Sequence, residues 1–252
     1  IAATFGQGVL QIEGGLGKLF GLPQGFFLQT AIILLATVFY IISSLTGVHR
    51  GIKYLSNISM VACIALLAYI LFYVPDYSKL GNVLTSVPSY FTEIVPMSFG
   101  LNTFNDPNWL QDWTIKYWSW WMAWAPFVGA FIALISKGRT IRELVVAVMI
   151  VPTIFSFIWF GVFGISAIEL QSVVGFVDVP LNLSKTNVIL FNFLETLTHS
   201  GLLSVLSLII IAIFFINSAD SATYTLASFS LKDADSEPSL MLKVGWGLLF
   251  AA

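Results

Sequence analysis

The chain has 252 residues, of which 58% are hydrophobic and only 10% charged, and its mean hydropathy is +0.90. Soluble domains carry about 25% charged residues, so a water-covered surface is excluded and lipid is the expected solvent. The net charge of −2 offers no basic surface for nucleic acid, and the single cysteine, Cys63, excludes an internal disulfide and reads as a small buried hydrophobe.

In chain order, five stretches have the roughly 20 mostly apolar residues that a spanning helix requires. They are Phe26–Gly47, which has no charge, Asn57–Pro75, Tyr117–Ser136, Leu144–Ile168, and Gly201–Ser218, which continues to about Phe229. Two further helical stretches, Ile1–Phe20 and Leu240–Ala252, flank them and read as cut spans, so the chain is expected to be one partial transmembrane domain, all-α. Between the spans, Asp76–Asp112 and Glu169–Ser200 are apolar enough to hold short helices at a membrane face. In the second of these, Ile189, Phe193, Leu194 and Leu197 recur at helical spacing.

The cations give an orientation. Arg50, Lys53, Lys137, Arg139, Arg142, Lys232 and Lys243 fall in one set of alternating loops, and Lys18, Lys79, Lys116 and Lys185 in the other. The first set lies tight against the helix ends, and the positive-inside rule places it in the cytoplasm.

The densest chemistry lies in YWSWWMAWAPFVGAFIALISKGRTIREL, Tyr117 to Leu144. At 100° per residue Trp121, Trp124, Phe127 and Val128 fall toward one face, Trp118 joins through Trp121, and Trp120 reaches Trp124 one turn on. Two readings stay open. Trp and Tyr gather at membrane interfaces as an anchoring belt. An indole wall carried two to three turns into a helix instead suits a quaternary ammonium group, which has no N–H to donate and is attracted to aromatic π faces. Pro126, just after the indoles, disturbs the helix, as either a packing kink or a break that bares backbone groups to a substrate.

This stretch closely resembles the signature helix of the betaine/choline/carnitine transporter family, an aromatic-rich Trp-Trp-x-x-Trp-x-Pro-Phe-Val-Gly followed by Ile-Ser-x-Gly-Arg-x-Ile-Arg-Glu. QGVLQIEGGLG (Gln7–Gly17), GVHRGIKYLSN (Gly47–Asn57) and FFINSADSA (Phe214–Ala222) are similar to further parts of that family, in order. The resemblance implies a twelve-helix transporter of two inverted five-helix repeats. Residues 1–75 would end the first repeat, 76–116 would form a periplasmic connection with a short helix, and 117–252 would start the second repeat. It implies a bacterial inner-membrane location and a homotrimer.

For the site, the resemblance implies that Trp121 belongs to an aromatic box for a trimethylammonium solute, with Trp124 and Phe127 just below it on the inward path. Trp120 and Tyr117 complete the candidate set. Betaine, choline or carnitine would be carried by alternating access, with no cofactor. Sodium is the expected coupling ion. Asn217 and Ser218 match the family's paired hydroxyl residues, with Asn where Thr is usual, and Thr4 with Phe127 would serve a second ion position. Proton symport, exchange, and an aromatic-cage receptor or channel without coupled transport are the alternatives.

The remaining polar groups read as structural. Asp220 is expected to be a packing or interfacial carboxylate near the cytoplasmic end, Glu13 an interfacial one, and His49 and His199 surface histidines. Arg139, Arg142 and Glu143 are expected to set topology and meet lipid headgroups. Two histidines and scattered acids assemble no catalytic set, so no enzyme is expected.

Overall fold

The computed structural model describes residues 2–46, 48–73, 78–99, 110–175, 186–231 and 237–251. Every regular element among them is helical: α1 Ala2–Phe20, α2 Phe26–Thr46, α3 Val48–Tyr73, α4 Ser78–Phe99, a π-helical turn Leu110–Ile115, α5 Lys116–Ile135, α6 Ile141–Val145, a second π-helical turn Val146–Ile150, α7 Val151–Val174, α8 Thr186–Glu195, α9 Ser200–Phe229 and α10 Leu240–Ala251. Five runs are long and apolar enough to cross a membrane, and they are the five expected: Phe26–Ser43, Ser56–Tyr73, Lys116–Ile135, Ile141–Val174 and Ser200–Phe229. Of the residues used for orientation, Lys185 and Lys232 lie outside the described residues, as do the side chains of Arg50, Lys53 and Lys79 and that of His49.

The chain forms two compact units, Ile1–Ala68 with Val174–Ala252, and Tyr69–Val173. In the first unit, a core of Phe5, Val9, Ile12, Ile32, Ala36, Tyr40, Phe191, Leu208, Phe215 and Ala219 joins α1, α2, α8 and α9. Lipid is as apolar as these side chains, so close packing rather than water exclusion must hold the helices together, and small residues permit it. A Cβ on Gly15 would lie within 2.4 Å of Phe191 Cζ and 2.9 Å of a Leu208 methyl. One on Gly8 would come within 2.5 Å of the Phe215 ring, which already packs on Phe5 at 4.3 Å between centroids. Gly247 of α10 likewise lets the Tyr40 ring in, and the Tyr40 hydroxyl donates to the Gly247 carbonyl.

Two carboxylates are buried. Glu13, expected as an interfacial group, is packed inside the fold, 3% exposed. Its Oε1 accepts the Gly25 backbone N–H at 2.6 Å and its Oε2 accepts the Gln29 side-chain amide at 2.9 Å. It therefore satisfies an otherwise orphaned donor where α2 begins, through residues 12 and 16 positions away. Asp220 is fully buried, out of reach of the water expected at that level, and accepts from Ser43 of α2. The packing reading of Asp220 is the one that stands. Cys63 is buried, as expected. His199 is exposed and sits at φ +65° where α9 starts.

In the second unit, α4 is a 22-residue helix containing Pro88 and Pro96. Its Tyr90 and Phe91 meet Phe157 of α7 at 5.4 and 6.0 Å. The run from Ile141 to Val174 starts three residues before the expected span. Thr140 caps it: the Thr140 hydroxyl accepts the Glu143 N–H, and the Glu143 carboxylate accepts the Thr140 N–H at 2.9 Å. This reciprocal arrangement satisfies two orphan donors. The π-helical turn ends two residues before Pro152. Proline has no N–H to donate, and the ladder shifts there to Val151 N–H donating to the Val146 carbonyl, five residues back.

Candidate functional site

The signature helix is continuous. α5 runs from Lys116 to Ile135 with Pro126 inside it, and none of its residues is buried. Edge-to-face ring contacts follow one stripe of the helix. Tyr117 and Trp120 lie 6.2 Å apart at 88°, Trp120 and Trp124 6.5 Å at 76°, and Trp124 and Phe127 5.2 Å at 90°. The steps of three, four and three residues return to the same face of a 3.6-residue helix, so the ladder is dictated by the positions of the aromatics in sequence. Trp121 joins it from the side, at 5.4 Å from Trp120, and its side chain is 63% exposed. Trp118 is also exposed. The structure thus assembles all five sequence-derived aromatic residues, but in a connection that runs through Trp120 rather than from Trp121 to Trp124.

The chemistry of such a stripe follows from ring electrostatics. A perpendicular pair sets the positive edge of one ring against the negative face of the other. The negative faces of such rings are also what attract a cation.

Thr4, Asn217 and Ser218 belong to the first unit, and Phe127 to the second. Thr4 and Asn217 are half-buried and Ser218 is exposed. The Phe5–Phe215 contact lies one residue from Thr4 and two from Asn217, so the start of α1 is held against the middle of α9, where the oxygen-bearing candidates sit. Amide and hydroxyl oxygens are the donor type that a hard cation takes.

Five membrane-length helices and an exposed aromatic ladder on one of them define an all-α integral membrane protein. The whole chain, residues 1–252, matches the betaine/carnitine/choline family transporter description, and the chain belongs to that family, which is one of transporters rather than enzymes. It is similar over its full length to the glycine betaine transporter OpuD of Bacillus subtilis, at 41% identity and covering 49% of that protein. It is also similar over its full length to the ectoine/glycine betaine/proline transporter EctP of Corynebacterium glutamicum, at 38% and covering 41%. A third relative is an ectoine/hydroxyectoine transporter of Virgibacillus pantothenticus, at 36% and covering 50%. The chain spans about half the length of the curated relatives it matches. Family, apolar spans and bacterial relatives together fit an integral protein of a bacterial inner membrane.

Two features were absent from the sequence reading. The Thr140–Glu143 cap has a sequence signal, Thr-x-x-Glu ahead of an apolar run. The anchoring of α2 by Glu13 has none, because its partners are identified only once the chain turns back on itself.

Proposed function

We propose that the protein containing this chain is a secondary transporter of a quaternary ammonium solute, with glycine betaine first and choline and carnitine in the same class, working by alternating access. The supporting observation is the ladder Tyr117–Trp120–Trp124–Phe127 with Trp121 beside it, in the helix that carries the family's signature. Trp121 supplies the π face that meets the trimethylammonium head, and Trp124 and Phe127 line the path below it. In this reading residues 1–75 close one inverted repeat, residues 117–252 open the other, and 76–116 connect them outside the cytoplasm. Sodium is the coupling ion, held by oxygens of Asn217 and Ser218, with Thr4 and Phe127 at a second position; the assembly is a homotrimer and needs no cofactor.

A second substrate reading, ectoine, has its own support, because two of the relatives are ectoine transporters. Ectoine carries a delocalised amidinium charge, which stacks on aromatic faces as a guanidinium does.

Uptake of radiolabelled glycine betaine by vesicles containing the intact protein, with and without an inward sodium gradient, tests the proposal. Saturable accumulation that collapses with the gradient is expected. Binding without accumulation would make the protein a receptor, and accumulation driven equally well by a proton gradient or by internal solute would replace the coupling. Competition by unlabelled ectoine ranks the two solutes.

A further inference from the structure

Away from the aromatic ladder, a cavity of about 670 Å³ opens where α5 ends and the next run begins, lined by Arg139, Thr140, Arg142, Glu143, Val146 and Val151 among others. Its volume is in the range of small-ligand sites, about 300–1,000 Å³. Its walls are of two kinds. The lining carries two guanidiniums, and among the described residues neither is in an ion pair. The lining also holds an acid, Glu143, which feels Arg139 and whose Oε2 accepts both the N–H and the hydroxyl of Thr140, at 2.9 and 3.0 Å, so the three side chains carry one net positive charge. Val146 and Val151, also in the lining, are exposed and lie on the run long and apolar enough to cross the membrane.

We propose that this cavity seats an anionic phospholipid, its phosphate between Arg139 and Arg142 and the first carbons of an acyl chain along Val146 and Val151. The guanidinium fork matches phosphate oxygens in pairs. A free phosphate would use the arginines but leave the adjoining apolar wall bare to water, whereas a phospholipid covers both. The positive-inside orientation puts the cavity at the cytoplasmic leaflet, where anionic lipids are concentrated.

The test uses the intact protein in vesicles of mixed phosphatidylcholine and phosphatidylglycerol. Each lipid is supplied in turn with a photoreactive group near the top of an acyl chain, and labelled peptides are identified by mass spectrometry. The phosphatidylglycerol probe is expected to label the segment around Val146 and Val151 more than the phosphatidylcholine probe. The doubly substituted R139Q/R142Q protein should lose that preference, by about fivefold per arginine and about 25-fold for the pair. R139K/R142K, which keeps both charges but loses the paired donors, should retain part of it, more than R139Q/R142Q and less than the unchanged protein. Labelling of α2 and α3 serves as an internal measure that each variant is folded. Equal labelling by both probes, or a preference that survives R139Q/R142Q, overturns the proposal. So does a segment left unlabelled because protein fills the cavity. Loss of the label in excess inorganic phosphate would assign the arginines to a free anion instead and equally overturn it.

Discussion

The Ser43 hydroxyl donates a 2.6 Å hydrogen bond to Oδ2 of Asp220, joining α2 to α9 across 177 positions of sequence. Asp220 has no exposed surface, and a carboxylate taken out of water stays there only if it is hydrogen-bonded. The bond therefore clamps two membrane-spanning helices at a fixed register. Replacing Ser43 with Ala should cost about 1 kcal/mol, the usual worth of a buried interhelical hydrogen bond. Thermal unfolding of the intact protein in detergent reads this, and a double-mutant cycle with Asp220→Asn should show coupling. Additive losses would mean that the two side chains act separately.

Close approach of α1 to its neighbours makes its glycines unequal. Gly15→Ala places a methyl within 2.4 Å of the Phe191 ring tip and should destabilise by about 1–3 kcal/mol. Gly6→Ala, with nothing within 4 Å of the new methyl, should be neutral or slightly stabilising, since Ala is the better helix former. The same thermal measurement on both variants checks the contrast, which fails if Gly6→Ala is the more damaging of the two.

Glu13 holds two donors at the start of α2. Glu13→Ala leaves both without their acceptor and should lower stability by about 2–3 kcal/mol, whereas Glu13→Gln keeps one carbonyl oxygen and should lose roughly half as much. Backbone hydrogen exchange at Gly25 supplies a local readout: protection there should fall in the Ala variant before the core helices are affected.

Trp121→Leu keeps an apolar side chain of helix-forming type but removes the π face. If a trimethylammonium group sits on that ring, about 2 kcal/mol is lost, and the KM for glycine betaine should rise about thirtyfold. Trp121→Phe should recover part of the loss. Unchanged uptake kinetics in the Leu variant would remove Trp121 from the site.

Sequence and structure agree wherever the controlling physics is local. The five spans were legible because a run of about 20 apolar residues has only one comfortable solvent. α9, expected to continue from Gly201 to about Phe229, ends at Phe229. The membership of the aromatic ladder was legible too, since Tyr117, Trp120, Trp124 and Phe127 are spaced by helical turns. Its wiring was not, because which rings touch depends on side-chain rotamers, and the chosen ones run through Trp120 and leave Trp121 mostly exposed.

By itself, then, the order of residues determined the solvent, the number and place of the spans, and the aromatic content of one helix, all properties of short contiguous stretches. Tertiary structure alone decided that Glu13 and Asp220 are buried and which groups they hold. It also decided that Gly8 and Gly15 are contact points. The reason is that a polar group's environment is set by what packs against it. Gly25, Gln29, Phe191, Phe215 and Ser43 reach these residues only after the helices have come together.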